Sequence, residues 1–75
     1  MDKRSLALTL VRSLTPAERE ALRGLAAGES LAGLARRLSI GLADAAAIKR
    51  SMKLKLAVVR DADAVRMALY AEWQD

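Results

Sequence analysis

The sequence predicts an all-α fold, and three observations support it. Sixteen alanines and thirteen leucines supply helix-forming residues along the whole chain. No run of β-branched or aromatic residues is longer than Val58-Val59, so there is little from which to build strands. Signals for starting and ending helices recur at short intervals. At 75 residues, the chain has room for one small domain with a modest core.

The first two predicted helices cover residues 3 to 13 and 16 to 27. The first is a short lead-in helix with leucines and Val11 on more than one face, so we expect it to dock against another element. The second has a stronger start signal, since Thr15 can cap it, Pro16 takes the first helical position and Glu18 completes a capping box. Gly28 can adopt the left-handed conformation that ends it.

Three further helices are predicted at residues 30 to 38, 42 to 56 and 62 to 73. Ser30 and Asp61 are the expected caps of the first and last of these, and the "SIG" segment forms a tight turn. On the last helix, we expect Val65, Ala68, Leu69 and Trp73 to face the core. The largest predicted core residues share helical spacing and are Leu22, Leu25, Leu34, Leu38, Ile40, Met52, Leu56, Val65 and Leu69.

Composition excludes several classes of protein. There is no cysteine and no histidine, so the usual zinc ligands are missing, and we expect no metal, cofactor or small-molecule ligand. No pairing of nucleophile and base and no glycine-rich phosphate loop is found, so we expect no enzyme. The apolar runs are too short to span a membrane, which predicts a soluble cytoplasmic protein. Thirteen Lys and Arg against nine Asp and Glu give a charge of +4, which favours an anionic partner.

Two short helices joined by a tight turn, the second longer and basic toward its end, suggest a helix-turn-helix. The strings "LTPAEREALRGLAAGESLAGLARRLSIG", "MKLKLAV" and "DADAVRMAL" resemble the LuxR/GerE-type DNA-binding domain over residues 14 to 69. The resemblance divides the chain into a lead-in helix, residues 1–13, and a four-helix domain, residues 14–75. It implies a transcriptional regulator whose third domain helix enters the major groove of double-stranded DNA and whose fourth supports a homodimer. Region four of sigma factors has a similar unit, but "KLKLAV" followed by an amphipathic helix fits the LuxR/GerE type better.

The chain departs from the family where DNA bases would be read. The family usually has a cap, a threonine, a basic residue and often a histidine along the front of the third domain helix, where this chain has Gly41, Asp44, Ala46 and Ile48. Gly33 replaces a polar side chain on the helix before it. The cations near the helix end remain, and phosphate contacts of this kind position a protein without selecting sequence. The predicted DNA-binding residues are Arg36, Arg37, Lys49, Arg50, Lys53 and Lys55.

Asp44 has two interpretations. Its carboxylate can complement the positive end of the helix dipole, which needs no function. The same helix end is where a phosphate would bind, and there the carboxylate has the wrong sign.

Two functions therefore stay open. Binding of DNA, mainly by phosphate contacts, is the preferred hypothesis. The alternative is a module that binds a protein of the transcription machinery through an apolar strip on the same helix. The residues of that strip are Leu42, Ala43, Ala46, Ala47 and Leu54. For the homodimer, we expect Met67 and Tyr70 to lie away from the core and form the contact.

Overall fold

The computed structural model describes residues 3–71, with side chains from residue 5 onward. Within that range the chain is all-helical, which confirms the predicted class. Its five helices are α1 Lys3–Arg12, α2 Pro16–Ala26, α3 Leu31–Leu38, α4 Leu42–Lys55 and α5 Asp61–Tyr70. The bounds agree with the predicted helices to within one residue, except at the end of the last one. That helix was predicted to reach residue 73 but ends at Tyr70, and residues 72 and 73 lie outside the described range. No helix in this range is long and apolar enough to cross a membrane.

The start signals of α2 and α3 act as predicted. The Thr15 hydroxyl accepts a hydrogen bond from the Glu18 backbone N–H at 3.1 Å, and the Glu18 carboxylate accepts one from the Thr15 N–H at 2.8 Å. Pro16 follows at the first helical position. The Ser30 hydroxyl accepts from the Gly33 N–H at 3.1 Å. These bonds satisfy amides that the first helical turn leaves without partners.

Three of the helices are followed by a residue in the left-handed backbone conformation. Gly28, with φ of 81°, follows α2 as predicted. Ser39 and Ala57, with φ of 58° and 59°, have the same conformation after α3 and α4, although neither is glycine. Hydrogen bonds from Ile40 N–H to Ala35 O at 2.9 Å, and from Val58 N–H to Lys53 O at 3.0 Å, close these turns. The two turns fix the points at which α4 begins and ends.

All five helices contribute to one core. Helix α2 packs against α3, α4 and α5, while α3 packs against α4 and α1 against α5. The lead-in helix α1 belongs to this core through Ala7 and Val11, which confirms that it docks. The fully or almost fully buried apolar residues are Ala7, Val11, Leu14, Ala21, Leu22, Leu34, Ala35, Ala45, Met52, Leu56, Ala64, Ala68 and Ala71. Leu25, Leu38 and Ile40 are half-buried and pack against them.

The core face of α5 differs from the prediction. Leu69 was expected in the core, but its side chain is 71% exposed, and Val65 is only half-buried. Ala68 is buried as predicted, but its buried neighbours are Ala64 and Ala71, the residue that directly follows α5. Small side chains at a helix contact allow the helix axes to approach closely, and α5 packs against both α1 and α2. Trp73, also predicted in this core, lies outside the described residues.

Candidate functional site

Helices α3 and α4 are joined by residues 39–41, and α4 presents one side to solvent. Four of its residues, separated by four, three and four positions, share this side, which we call the α4 outer face. They are Ala43, Ala47, Arg50 and Leu54, and all four are exposed. Ala45 and Met52, on the opposite side of the helix, are fully buried. The face therefore offers two methyl groups, one leucine and one guanidinium.

The predicted apolar strip coincides with the α4 outer face in part. Leu54 is 74% exposed and Leu42, at the first position of α4, is 56% exposed. Ala46 is half-buried, so it lies at the edge of the face and not at its centre. Ile48, which the resemblance implied at a groove-facing position, is half-buried and packs against the core.

Two of the predicted DNA-binding lysines, Lys49 and Lys53, share one carboxylate. The Lys49 Nζ lies 2.8 Å from Asp61 Oδ2, and the Lys53 Nζ lies 2.9 Å from Asp61 Oδ1. We call Lys49 and Lys53 the lysine pair. The hydrogen bond from Lys49, followed by that from Lys53, lowers the pKa of Asp61 below its ordinary value, despite partial burial. Asp61 was predicted to cap α5, but Arg60 occupies the capping position and Asp61 is the first helical residue.

Lys55, the third lysine of α4, binds Glu18 of α2, with 2.8 Å between its Nζ and Glu18 Oε1. The Ser51 hydroxyl donates a hydrogen bond to Glu18 Oε2, so both oxygens of this buried carboxylate have partners. Burial alone would raise the pKa of Glu18, but hydrogen bonds from Lys55, Ser51 and Thr15 outweigh it and lower the pKa to about 2. Glu18 thus belongs to the capping box of α2 and also links α2 to the end of α4 through hydrogen bonds and an ion pair.

The arginines of α3 differ in their surroundings. Arg37 binds two carboxylates, Glu20 of α2 and Glu29, with a distance of 3.0 Å between its Nη2 and Glu29 Oε1. Its hydrogen bond to Glu29 is the largest factor that lowers the pKa of that carboxyl. Arg36 on α3 and Arg50 on α4 are exposed and form no ion pair with any described residue. Among the six predicted DNA-binding cations, these two alone have no carboxylate partner within the described part of the chain.

At the start of α4, Gly41 is the capping residue and provides no side-chain hydrogen bond. Asp44 lies in the first turn, is exposed, and makes no hydrogen bond or ion pair with the described residues. Its carboxylate therefore acts on this helix end through its charge, by complementing the dipole and by opposing a second anion there.

The surface predicted to form a dimer contact is only partly exposed. Tyr70 is 40% exposed, but Met67 is half-buried and packs against the core, so it was wrongly expected to lie away from it. Self-association itself stays a prediction. Within residues 3–71, no three Asp, Glu, His or Cys side chains cluster in a way that could hold a metal ion.

The sequence did not predict that four carboxylates pair with the basic residues, although Glu18 and Asp61 were expected to cap helices. Asp61, Glu18, Glu20 and Glu29 come from α2, α5 and the segment between α2 and α3. The one available signal was the "DAD" segment directly after the basic run of α4. Pairing across 8 to 37 positions depends on how the helices pack, which a local pattern does not contain.

Comparison of the chain with protein-family models, with curated proteins and with solved structures gave no match.

Proposed function

We propose that this chain is a small helix-turn-helix protein that binds double-stranded DNA, mainly through phosphates, with α4 at the groove. An eight-residue α3, a three-residue connection and a longer α4 have the order and lengths of such a unit. The observation that carries the proposal is Arg50, an exposed guanidinium on the α4 outer face that has no ion-pair partner among the described residues. Arg36 adds a second cation, on α3, that is likewise unpaired within the described part of the chain. Both can bind phosphate without breaking an ion pair to a described residue.

The ion pairs of the neighbouring lysines are compatible with this role. Lys49, Arg50, Lys53 and Lys55 bring four positive charges to the last two turns of α4, where Asp61 and Glu18 supply two negative ones. A net positive charge therefore remains. Ion pairs at a protein surface are worth about 0 to 1 kcal/mol, so a closely spaced row of DNA phosphates can compete with the more exposed of them.

Little sequence selectivity is expected from this surface. Ala43 and Ala47 carry no hydrogen-bonding group that could read a base edge, although their methyl groups can contact thymine. Arg50 is the one donor of the α4 outer face. Binding supported mainly by phosphate contacts is characteristically weak, with dissociation constants of about 10⁻⁴ to 10⁻⁶ M at physiological salt, and strongly salt-dependent.

The test is the affinity for a random-sequence duplex, measured by fluorescence anisotropy over a series of salt concentrations. Arg50→Ala should lower the slope of log K against log salt by about one unit, and should weaken binding about tenfold at low salt, because one phosphate contact is lost. Arg12→Ala is the matched control, since Arg12 is also exposed and unpaired among the described residues but lies on α1. Equal effects of the two variants, or no binding of the wild type at low salt, would contradict the proposal.

A second candidate function is binding of a protein partner through the same face. It is favoured by the exposure of Leu54 and Leu42, at 74% and 56%, beside the methyl groups of Ala43 and Ala47. Apolar residues spaced along one helix face suit an amphipathic partner helix, and Arg50 favours one that carries acidic residues at its edge.

Leu54→Gln separates the two candidates, because it keeps the charge and the helix propensity while removing an apolar anchor. Duplex affinity should stay within about twofold, since no phosphate contact changes. A complex with a synthetic amphipathic helix of leucines and glutamates should instead weaken about tenfold, because a buried leucine is lost. The complex would be followed by NMR titration, and shifts outside α4 would count against this second function.

A further inference from the structure

We propose that the lysine pair, Lys49 and Lys53, is an oxyanion site for a DNA phosphate, and that Asp61 occupies it as an internal competitor that sets duplex affinity. This inference rests on the proposed function and extends it, because it adds a second phosphate contact beside Arg50 and names the residue that controls access to it.

The geometry of the pair is that of an anion site. Lys49 and Lys53 lie one helical turn apart, and their ammonium groups converge on one carboxylate, each binding a different oxygen at 2.8 and 2.9 Å. A phosphodiester, like a carboxylate, carries one negative charge shared by two free oxygens. It can therefore accept the same two hydrogen bonds, and lysine ammonium groups are common ligands of phosphate.

The position of the pair suits a backbone contact. Lys53 lies three residues after Arg50, so the two side chains are neighbours on the helix surface. A phosphate on the lysine pair would thus be next to one on Arg50, along the same helix. The Asp61 side chain is 45% exposed, while those of Lys49 and Lys53 are 26% and 24% exposed, so solvent and solutes reach this ion pair.

Asp63 provides a matched control within the same helical turn. It also lies in the first turn of α5, but its carboxylate binds Arg60, at 3.1 Å, and Arg66, at 3.8 Å, instead of α4. Asp61→Asn and Asp63→Asn remove the same charge from the same helix end and have the same effect on the dipole. Only Asp61→Asn removes the carboxylate that the lysine pair binds.

The first experiment compares duplex affinity of the wild type, Asp61→Asn and Asp63→Asn across salt concentrations. Asp61→Asn should bind about tenfold more tightly at low salt, with a slope steeper by about one unit, because a further phosphate contact forms. Asp63→Asn should change affinity less than about threefold through its net charge alone. If the wild type binds duplex but the two variants behave alike, the inference is overturned while the proposed function stands.

The second experiment does not depend on duplex binding. Inorganic phosphate is added to each protein, and the side-chain NMR signals of Lys49 and Lys53 are followed. Saturable shifts at lower phosphate concentration in Asp61→Asn than in the wild type and Asp63→Asn support the anion site, even if no duplex binds and the proposed function fails. Equal responses in all three proteins overturn it. Thermal unfolding confirms that each variant is folded, and Asp61→Ala, which has a high helix propensity, replaces Asp61→Asn if that variant is not.

Discussion

In equilibrium unfolding, Leu22→Ala is expected to lower the free energy of unfolding by roughly 3 to 5 kcal/mol, the upper part of the range for this substitution. Leu22 is completely buried on α2, which packs against α3, α4 and α5, so the cavity would lie where the helices meet. A chain of this length typically has a total stability of about 4 to 11 kcal/mol. Much of the protein should therefore be unfolded at moderate urea concentrations.

Leu54→Ala is the control for this prediction. The same substitution at a side chain that is 74% exposed should change stability by about 0.5 kcal/mol or less. Leu34→Ala should resemble Leu22→Ala, while Leu38→Ala should cost less, since Leu38 is only half-buried. Urea midpoints that did not separate Leu22→Ala from Leu54→Ala would show that α2 does not hold the central position described.

Acid is expected to destabilise the protein through Glu18. The pKa of this carboxyl is lowered from its ordinary value of 4.5 to about 2, so its contribution is fully present above about pH 5 and is lost as the pH falls toward 2. The shift corresponds to stabilisation on the order of 3 kcal/mol at neutral pH. The pKa values of Asp61 and Glu29 are also lowered, so their pairs act in the same direction.

Glu18→Gln isolates the contribution of this residue. The variant should be less stable than the wild type by roughly 2 to 3 kcal/mol at neutral pH, because Lys55 loses its charged partner, and the difference should shrink toward zero near pH 2. Glu20→Gln, on the same helix but 30% exposed, should change stability by about 1 kcal/mol or less. A difference between wild type and Glu18→Gln that is independent of pH would mean that the carboxylate is not held as described. Urea unfolding at several pH values makes the comparison.

The helix boundaries were predictable because the signals that set them are local. Thr15 and Glu18 form the expected capping box, Ser30 caps α3, and Gly28 takes the left-handed conformation. Each of these depends on residues within a few positions of the helix end, so the sequence contains the whole interaction.

The core face of α5 was not predictable in the same way. Hydrophobicity favours the stripe that contains Val65 and Leu69, because those side chains have more apolar area to bury. Of the predicted face only Ala68 is fully in the core, and Ala64 and Ala71 are buried in place of the larger side chains, since α1 and α2 lie against this helix. The distance between helices decides which stripe fits, and that distance is set by elements far away in sequence.

The electrostatics of the candidate site were also set by packing. The cations of α4 were predicted to contact DNA phosphates, and no carboxylate was expected beside them, but α2 and α5 bring Glu18 and Asp61 to the end of α4. Aspartate is a preferred capping residue, so the local sequence favours Asp61 as the cap of α5. It instead makes two ion pairs with side chains of α4. Of the predicted apolar strip, Ala43, Ala47 and Leu54 lie on the α4 outer face, where Arg50 is the one charged group, and the function of the strip stays a prediction.

The left-handed turns at Ser39 and Ala57 bear on how this surface could evolve. A residue with a side chain costs roughly 1 to 2 kcal/mol in that conformation, whereas glycine adopts it freely. Each turn borders α4, so a glycine at either position would add stability without touching the α4 outer face. The stability gained from such a glycine is comparable to the destabilisation caused by a typical single substitution. The chain could therefore acquire larger, base-reading side chains on α4 and remain folded.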